Sequence, residues 1–136
     1  MRGTAPILAA ATLLLALPAA ADPHTDYLLH CSGCHRADGS GLPPDVPSLA
    51  GNLGRIVATA AGREYVVRVP GASQTPLSDG ELAAVINWVL VQFNADTLPP
   101  GFKPLREAEV SKARGRGVLP DPHKFRREHW PELGGY

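Results

Sequence analysis

Sulfur is scarce in this chain. It has two cysteines, Cys31 and Cys34, and one methionine, Met1. A framework of several disulfides is therefore excluded, and whatever the two neighbouring cysteines do they do together. Charge of one sign is lacking as well: 13 Lys and Arg stand against 13 Asp and Glu. That balance removes the basic footprint with which a protein displaces counterions from a phosphate backbone, so no nucleic-acid partner is expected. Aromatic residues make up only 6% of the chain, no internal repeat is visible, and 136 residues suffice for one domain but not for a multidomain enzyme. What is abundant is glycine and proline, 14 of each. Such a composition favours short helices joined by much ordered loop over a packed sheet, and the expected class is all-α.

Long apolar runs are confined to the start. Met1 and Arg2 precede a run from Ile7 to Leu17 broken only by Thr12, Pro18 ends it, and Ala19-Ala20-Ala21 precede Asp22. Positive start, apolar middle and small residues at the end are the pattern of a secretory signal peptide, here residues 1–21. The run is shorter than the roughly 20 residues a membrane span needs, so no stable membrane insertion is expected once the signal is cleaved. The predicted destination is the periplasm, and Met1 would leave with the signal.

The remainder divides near Pro99-Pro100-Gly101, a junction hostile to helix. Asp22–Pro100 carries four arginines against eight acids, whereas Gly101–Tyr136 carries eight Lys and Arg against five acids. The expected organisation is a motif-bearing domain over residues 22–97 and a Pro-rich basic tail with short helices over 98–136. That tail is expected to associate electrostatically with the acidic remainder or with an acidic partner. Its helices, around Leu105–Arg114 and from Asp121-Pro122 to about Trp130, are too short to stand alone and must dock or fray.

In the first part, Pro23 to Asp26 offer capping residues for a short helix that runs through Tyr27 into Cys31. Gly39–Gly54 is expected to be an ordered loop. Arg55–Ala61 and Arg63–Val69 read as two short helices, or as a helix and an extended piece. The best-defined element is Ser78–Phe93: Ser78 and Glu81 form a capping box, and Leu82, Val85, Ile86, Val89, Leu90 and Phe93 recur at helical spacing, with Trp88 and Val91 broadening the stripe.

Chemistry is concentrated in Cys31-Ser32-Gly33-Cys34-His35, the C-x-x-C-H pattern of covalent haem attachment. Two thiols on one helical turn can add to the two vinyl groups of a haem, and the next residue offers an imidazole to the iron. A thioredoxin-type redox pair, a structural zinc site and a small disulfide loop compete for the same residues. The first wants a surrounding βαβ pattern, the second two further ligands, and the third leaves His35 without a role.

At these residues the sequence resembles the class I cytochromes c. The likeness continues in Asp38-Gly39-Ser40-Gly41, similar to that family's D-G-x-G turn, in Pro47-Ser48-Leu49-Ala50-Gly51, similar to its P-x-L-x-G segment, and in Leu77-Ser78-Asp79-Gly80-Glu81-Leu82, similar to the opening of its final helix. The resemblance implies a cytochrome c-like fold around one haem c held by Cys31 and Cys34, with His35 as axial ligand of the iron and the Pro47 carbonyl fixing its imidazole. It also implies that the final helix crosses the haem-bearing one, with Trp88 packed against Tyr27.

The chain departs from the family on the far side of the haem. Where the family places a methionine ligand, spacing from Leu77-Ser78-Asp79 gives Val69-Pro70, and no methionine follows Met1. The sixth position is then open, or filled by a nitrogen from a histidine elsewhere, or by a weak ligand from Arg68–Pro76. His24 and His30 read as surface residues, which leaves His123 and His129 of the tail as candidates. Arg68 and Gln74 are polar groups that could hydrogen-bond a small iron-bound molecule. The resulting expectation is a periplasmic single-electron carrier, serving redox partner proteins such as a dehydrogenase or oxidase, sooner than an enzyme. The alternative is a haem protein whose open position binds small ligands for sensing or weak peroxidase chemistry.

Overall fold

The longer helices of this chain begin mostly where a side chain receives one of the first free N–H groups, at Asp22, Thr59, Ser78 and Asp121. Asp22 accepts from the backbone of Thr25, and Pro23 fixes the first φ of α1, Pro23–His30. A computed structural model describes residues 22–133. The signal-peptide reading of residues 1–21 lies outside the described residues. After α1 come α2, Ser32–His35, α3, Leu53–Ile56, α4, Ala60–Arg68, α5, Pro70–Ser73, and α6, Asp79–Asn94. Then follow α7, Glu107–Arg114, and α8, Pro122–His129, with single 3₁₀ turns at Ala95–Thr97 and Pro131–Leu133. Among the described residues the only β pairing is one isolated bridge, Leu42 to Val46. The fold is all-α, and residues 39–52 form a loop with that bridge inside it, as its glycines and prolines predict, whereas Leu53 and Gly54, also expected in the loop, open α3.

The frame is the pair α1 and α6. The capping box forms as its spacing predicts: Ser78 N–H donates to Glu81 at 2.8 Å, and Glu81 N–H donates to the Ser78 hydroxyl at 3.3 Å. Leu82, Val85, Ile86, Val89 and Leu90 are buried along α6. Val91 is 59% exposed and so does not widen that stripe. Trp88 stands 5.1 Å from Tyr27 between ring centroids, and Phe93 stands 5.6 Å from Tyr27, so aromatic rings fill the crossing of α1 and α6 as expected. Tyr27 is fully buried, and its hydroxyl donates to Arg36 O at 2.6 Å.

The loop after α2 is packed too tightly for most side chains at two places. A Cβ on Gly39 (φ +74°) would come within 2.9 Å of the Phe93 ring, and one on Gly41 (φ +69°) within 2.5 Å of the Pro47 carbonyl. Both positions combine a left-handed backbone with a close approach that only glycine permits. At the other end of this loop Asn94, almost wholly buried, accepts from Leu53 N–H at 3.0 Å and donates to Leu49 O at 2.8 Å.

Beyond Gly101 the chain docks on the outer faces of α4 and α6. Leu105, Val110, Ala113, Leu119 and Trp130 join the same apolar cluster as Tyr27, Ile56, Val67 and Leu90. Asn87 of α6 grips the entry to this segment through both backbone groups of Leu105, at 2.7 and 2.9 Å. Attachment is therefore apolar as well as electrostatic. The ion pairs run in both directions: Arg114 to Asp79 at 2.9 Å and Arg116 to Glu64 at 2.8 Å place tail cations on core acids, whereas Arg63 of the core meets Glu109 of the tail at 3.0 Å.

Candidate haem site

Cys31 is the C-terminal cap of α1, and α2 follows without a break, so the attachment motif forms one continuous turn. His35 N–H donates to Cys31 O at 3.0 Å, and Cys34 N–H donates to the same carbonyl at 3.3 Å. Both thiols are free; Cys31 is half-buried and Cys34 exposed. His35 is the last residue of α2 and half-buried.

The imidazole is held from behind. His35 Nδ1 donates to Pro47 O at 3.0 Å, a bond that leaves Nε2 as the nitrogen with a lone pair. Pro47 is itself placed by the Leu42–Val46 bridge and by the N–H of Leu49 donating to Gly39 O at 2.8 Å. Burial pushes the His35 pKa below its ordinary value, partly offset by the Pro47 carbonyl. Neutral imidazole is the form that binds a metal.

Cys31 is the wrong kind of thiol for disulfide exchange. Burial, with Asp26 nearby, pushes its pKa up to about 11, whereas reactive cysteines of that class have depressed values. The same setting raises the Tyr27 hydroxyl to about 12, by burial and then by the negative fields of Cys31 and Asp38, so the phenol stays protonated and donates to Arg36 O. The donor set fits a haem: two free thiols on one turn and an imidazole whose other nitrogen is already engaged by a backbone carbonyl.

On the side expected to face away from His35, Val69 is an extended residue between α4 and α5 and caps the latter with Pro70 at the first helical position. Of the histidines weighed as ligands, His129 is exposed in α8. Its ring stacks on Phe125 at 3.8 Å, and its Nδ1 donates to Phe125 O at 2.9 Å. Phe125 in turn stacks on Tyr65 of α4, with centroids 5.8 Å apart. His123 is half-buried near the start of α8. His24 is exposed and stacks on Trp88 at 5.0 Å; His30 is exposed at the end of α1. Arg68 is turned to the tail, donating to Gly117 O at 2.8 Å and pairing with Glu64 at 2.8 Å. Gln74 is exposed in the turn that closes α5.

Two residues with structural reach were missed in the sequence. Asn94 ties the haem-side loop to the end of α6; a polar amide at the end of an otherwise apolar stripe was the available signal. Arg114 gathers acceptors from far along the chain, and nothing in its exposed-looking surroundings, Lys112-Ala113-Arg114-Gly115-Arg116, marks it.

No protein-family model matches the chain. It is 33% identical over 108 residues to cytochrome c-552 of Thermus thermophilus, an alignment covering 66% of this chain and 82% of that protein. A second cytochrome c-552 of the same species matches at the same identity, over 73% of its length. With this relationship added to the attachment turn and the His35–Pro47 bond, the chain belongs to the class I c-type cytochromes, electron carriers with one covalently bound haem c.

Proposed function

We propose that this cytochrome works in the periplasm, taking single electrons from a dehydrogenase or membrane complex and passing them to an acceptor such as an oxidase. Cys31 and Cys34 would hold the haem through thioethers, His35 would offer its Nε2 to the iron, and Pro47 would orient that imidazole. When bound, the haem supplies a one-electron ferric/ferrous couple. The chain's own contribution is to fix the imidazole through the Pro47 carbonyl and to leave the Cys34 thiol exposed. The His35 Nδ1 bond to Pro47 O at 3.0 Å carries this reading, because it joins the motif to a loop residue 12 positions away in the one way that frees Nε2. The domain over 22–97 is the haem-bearing unit and 98–133 its docked extension; the leader read in residues 1–21 supports export, and no described helix is long and apolar enough to cross a membrane.

The test is expression in a host competent in cytochrome c maturation. Wild-type protein should keep its haem on a denaturing gel, and Cys31→Ala or Cys34→Ala should weaken that retention. Colourless wild-type protein would refute the assignment.

A second reading of the same site is favoured by one observation: no methionine follows Met1, and by spacing from Leu77-Ser78-Asp79 the family's ligand position falls on Val69. The sixth position then takes water or an added small molecule. Ferric protein should lack the near-infrared band of a sulfur–iron bond, and ferrous protein should bind CO. Conversion of a low-spin to a high-spin spectrum by His123→Ala or His129→Ala would instead assign the sixth ligand to the tail.

A further inference from the structure

The segment between α4 and α6 has no long helix of its own, yet both its ends are held by the C-terminal extension. At its start, Arg68 donates to Gly117 O at 2.8 Å and to Arg116 O at 3.3 Å, while Leu119 N–H donates back to Arg68 O at 2.9 Å. At its end, one guanidinium gathers four acceptors. Arg114 donates through Nη1 to Leu77 O at 2.8 Å and to Asp79 at 2.9 Å, and through Nη2 to Thr75 O at 3.1 Å and Ala72 O at 3.4 Å. Its side chain is only 19% exposed, so these charge-assisted bonds form where water competes poorly.

By spacing from Leu77-Ser78-Asp79 this loop carries Val69, the residue that the reading of the sixth position sets across from His35. Hydrogen bonds from Ser78 hold the Glu81 carboxyl below its usual range, and the charge of His30, the residue before Cys31, pulls the same way. The start of α6 therefore sits within electrostatic reach of the end of α1. Val69 and Ala72 of the loop are partly buried against the main apolar core.

We propose that Arg114 is a positioning residue through which the C-terminal extension holds the loop 69–78 closed beside the haem, and so limits how fast an added ligand reaches the iron. The inference rests on the reading of the sixth position given above. A loop whose carbonyls are collected by one distant side chain loosens between Val69 and the buried Leu77 when that side chain is lost, because its remaining hydrogen bonds are short-range turns: Ala72 and Ser73 N–H to Val69 O, Gln74 N–H to Pro70 O and Thr75 N–H to Ala72 O. A lysine in its place would keep the charge but not the planar fork that spans carbonyl and carboxylate together.

The experiment uses ferric holoprotein and imidazole as the added ligand, followed by the Soret shift in stopped flow. Arg114→Ala should bind imidazole about tenfold faster or more, since several charge-assisted bonds to the loop are lost together. Arg114→Lys and Asp79→Asn should fall between wild type and Arg114→Ala, and they carry the test if Arg114→Ala does not fold. A folded holoprotein variant lacking the arginine that binds at the wild-type rate overturns the proposal, as does a lysine variant that recovers none of the effect, or failure of every variant to bind. Haem-free wild-type protein would instead overturn the functional reading itself, and its lack of colour distinguishes that outcome.

Discussion

The segment bearing Cys31, Cys34 and His35 and the segment beyond Gly101 are fixed to the same helix, α6, by different means. The first is held by rings and backbone: Tyr27 against Trp88 and Phe93, Leu42 against Val46, His35 against the Pro47 carbonyl. The second is held by long cationic side chains reaching backbone carbonyls, with Val110 and Leu119 beneath them. Contacts of the first kind are made by rigid rings and backbone groups, near in sequence for His35 and Pro47 and distant for Tyr27 and Phe93, and they suit a site where an imidazole must keep one orientation. Bonds of the second kind span 35 to 49 positions of sequence and let a late segment control an earlier loop.

The sharpest way to break this contrast is at His35. Replacing it with alanine should abolish stable holoprotein, read as loss of the visible spectrum, because it removes the nitrogen proposed to bind the iron. Pro47→Ala keeps the accepting carbonyl and should lose far less. Equal loss in both would remove the special role of the His35–Pro47 bond.

Next in size is removal of the extension after Pro100. It strips Leu105, Val110, Ala113, Leu119 and Trp130 from the core. Burying one large apolar side chain contributes about 1.5–3 kcal/mol, so the sum is comparable with the whole stability of a small domain, roughly 5–15 kcal/mol. The shortened chain should lack a cooperative thermal transition. A transition near that of the full chain would show the extension to be a detachable appendage.

A smaller effect separates the two kinds of anchor directly. Asn94→Ala leaves Leu53 N–H and Leu49 O without their partner on the haem side and should cost about 2–3 kcal/mol in denaturant unfolding. Val110→Ala, at a fully buried site of the extension, should cost about 1–3 kcal/mol from lost contacts and the remaining cavity. Only the first should broaden the haem spectrum of the folded protein.

Least in size is a pH effect. Hydrogen bonds from Arg63, with further help from Arg106, hold Glu109 well below its ordinary 4.5, at about 2, against a small opposing effect of burial. A carboxylate depressed in the folded state stabilises fully above its unfolded pKa, and that stability is lost as pH falls from about 4.5 toward 2. Glu109 is one-third exposed, so solvent screening holds the contribution to about 1 kcal/mol. Glu109→Gln should lower the unfolding midpoint at neutral pH, and the gap from wild type should close as pH falls through that window. A constant gap would assign the effect to something other than the ion pair.

The haem side was legible in sequence because its information is local. A C-x-x-C-H turn, a capping box within one helical turn and glycines at positive φ each express their physics within a few positions, and α6 starts at Asp79 because Ser78 and Glu81 face each other one turn apart. The boundaries of α3 and α4 were less clear, since valine-rich stretches suit helix or strand until packing decides.

The sequence by itself determined the cofactor, the helical class and the lack of any methionine after Met1, for these depend on which atoms are present and on spacings within one turn. Only the tertiary structure decided where the arginines go. Arg63, Arg68 and Arg114 look like solvated charges in one dimension, and each finds carbonyls and carboxylates far away in the chain. A flexible cationic side chain carries no periodicity that predicts its partner, so its role appears only when the fold brings several acceptors within reach of one guanidinium.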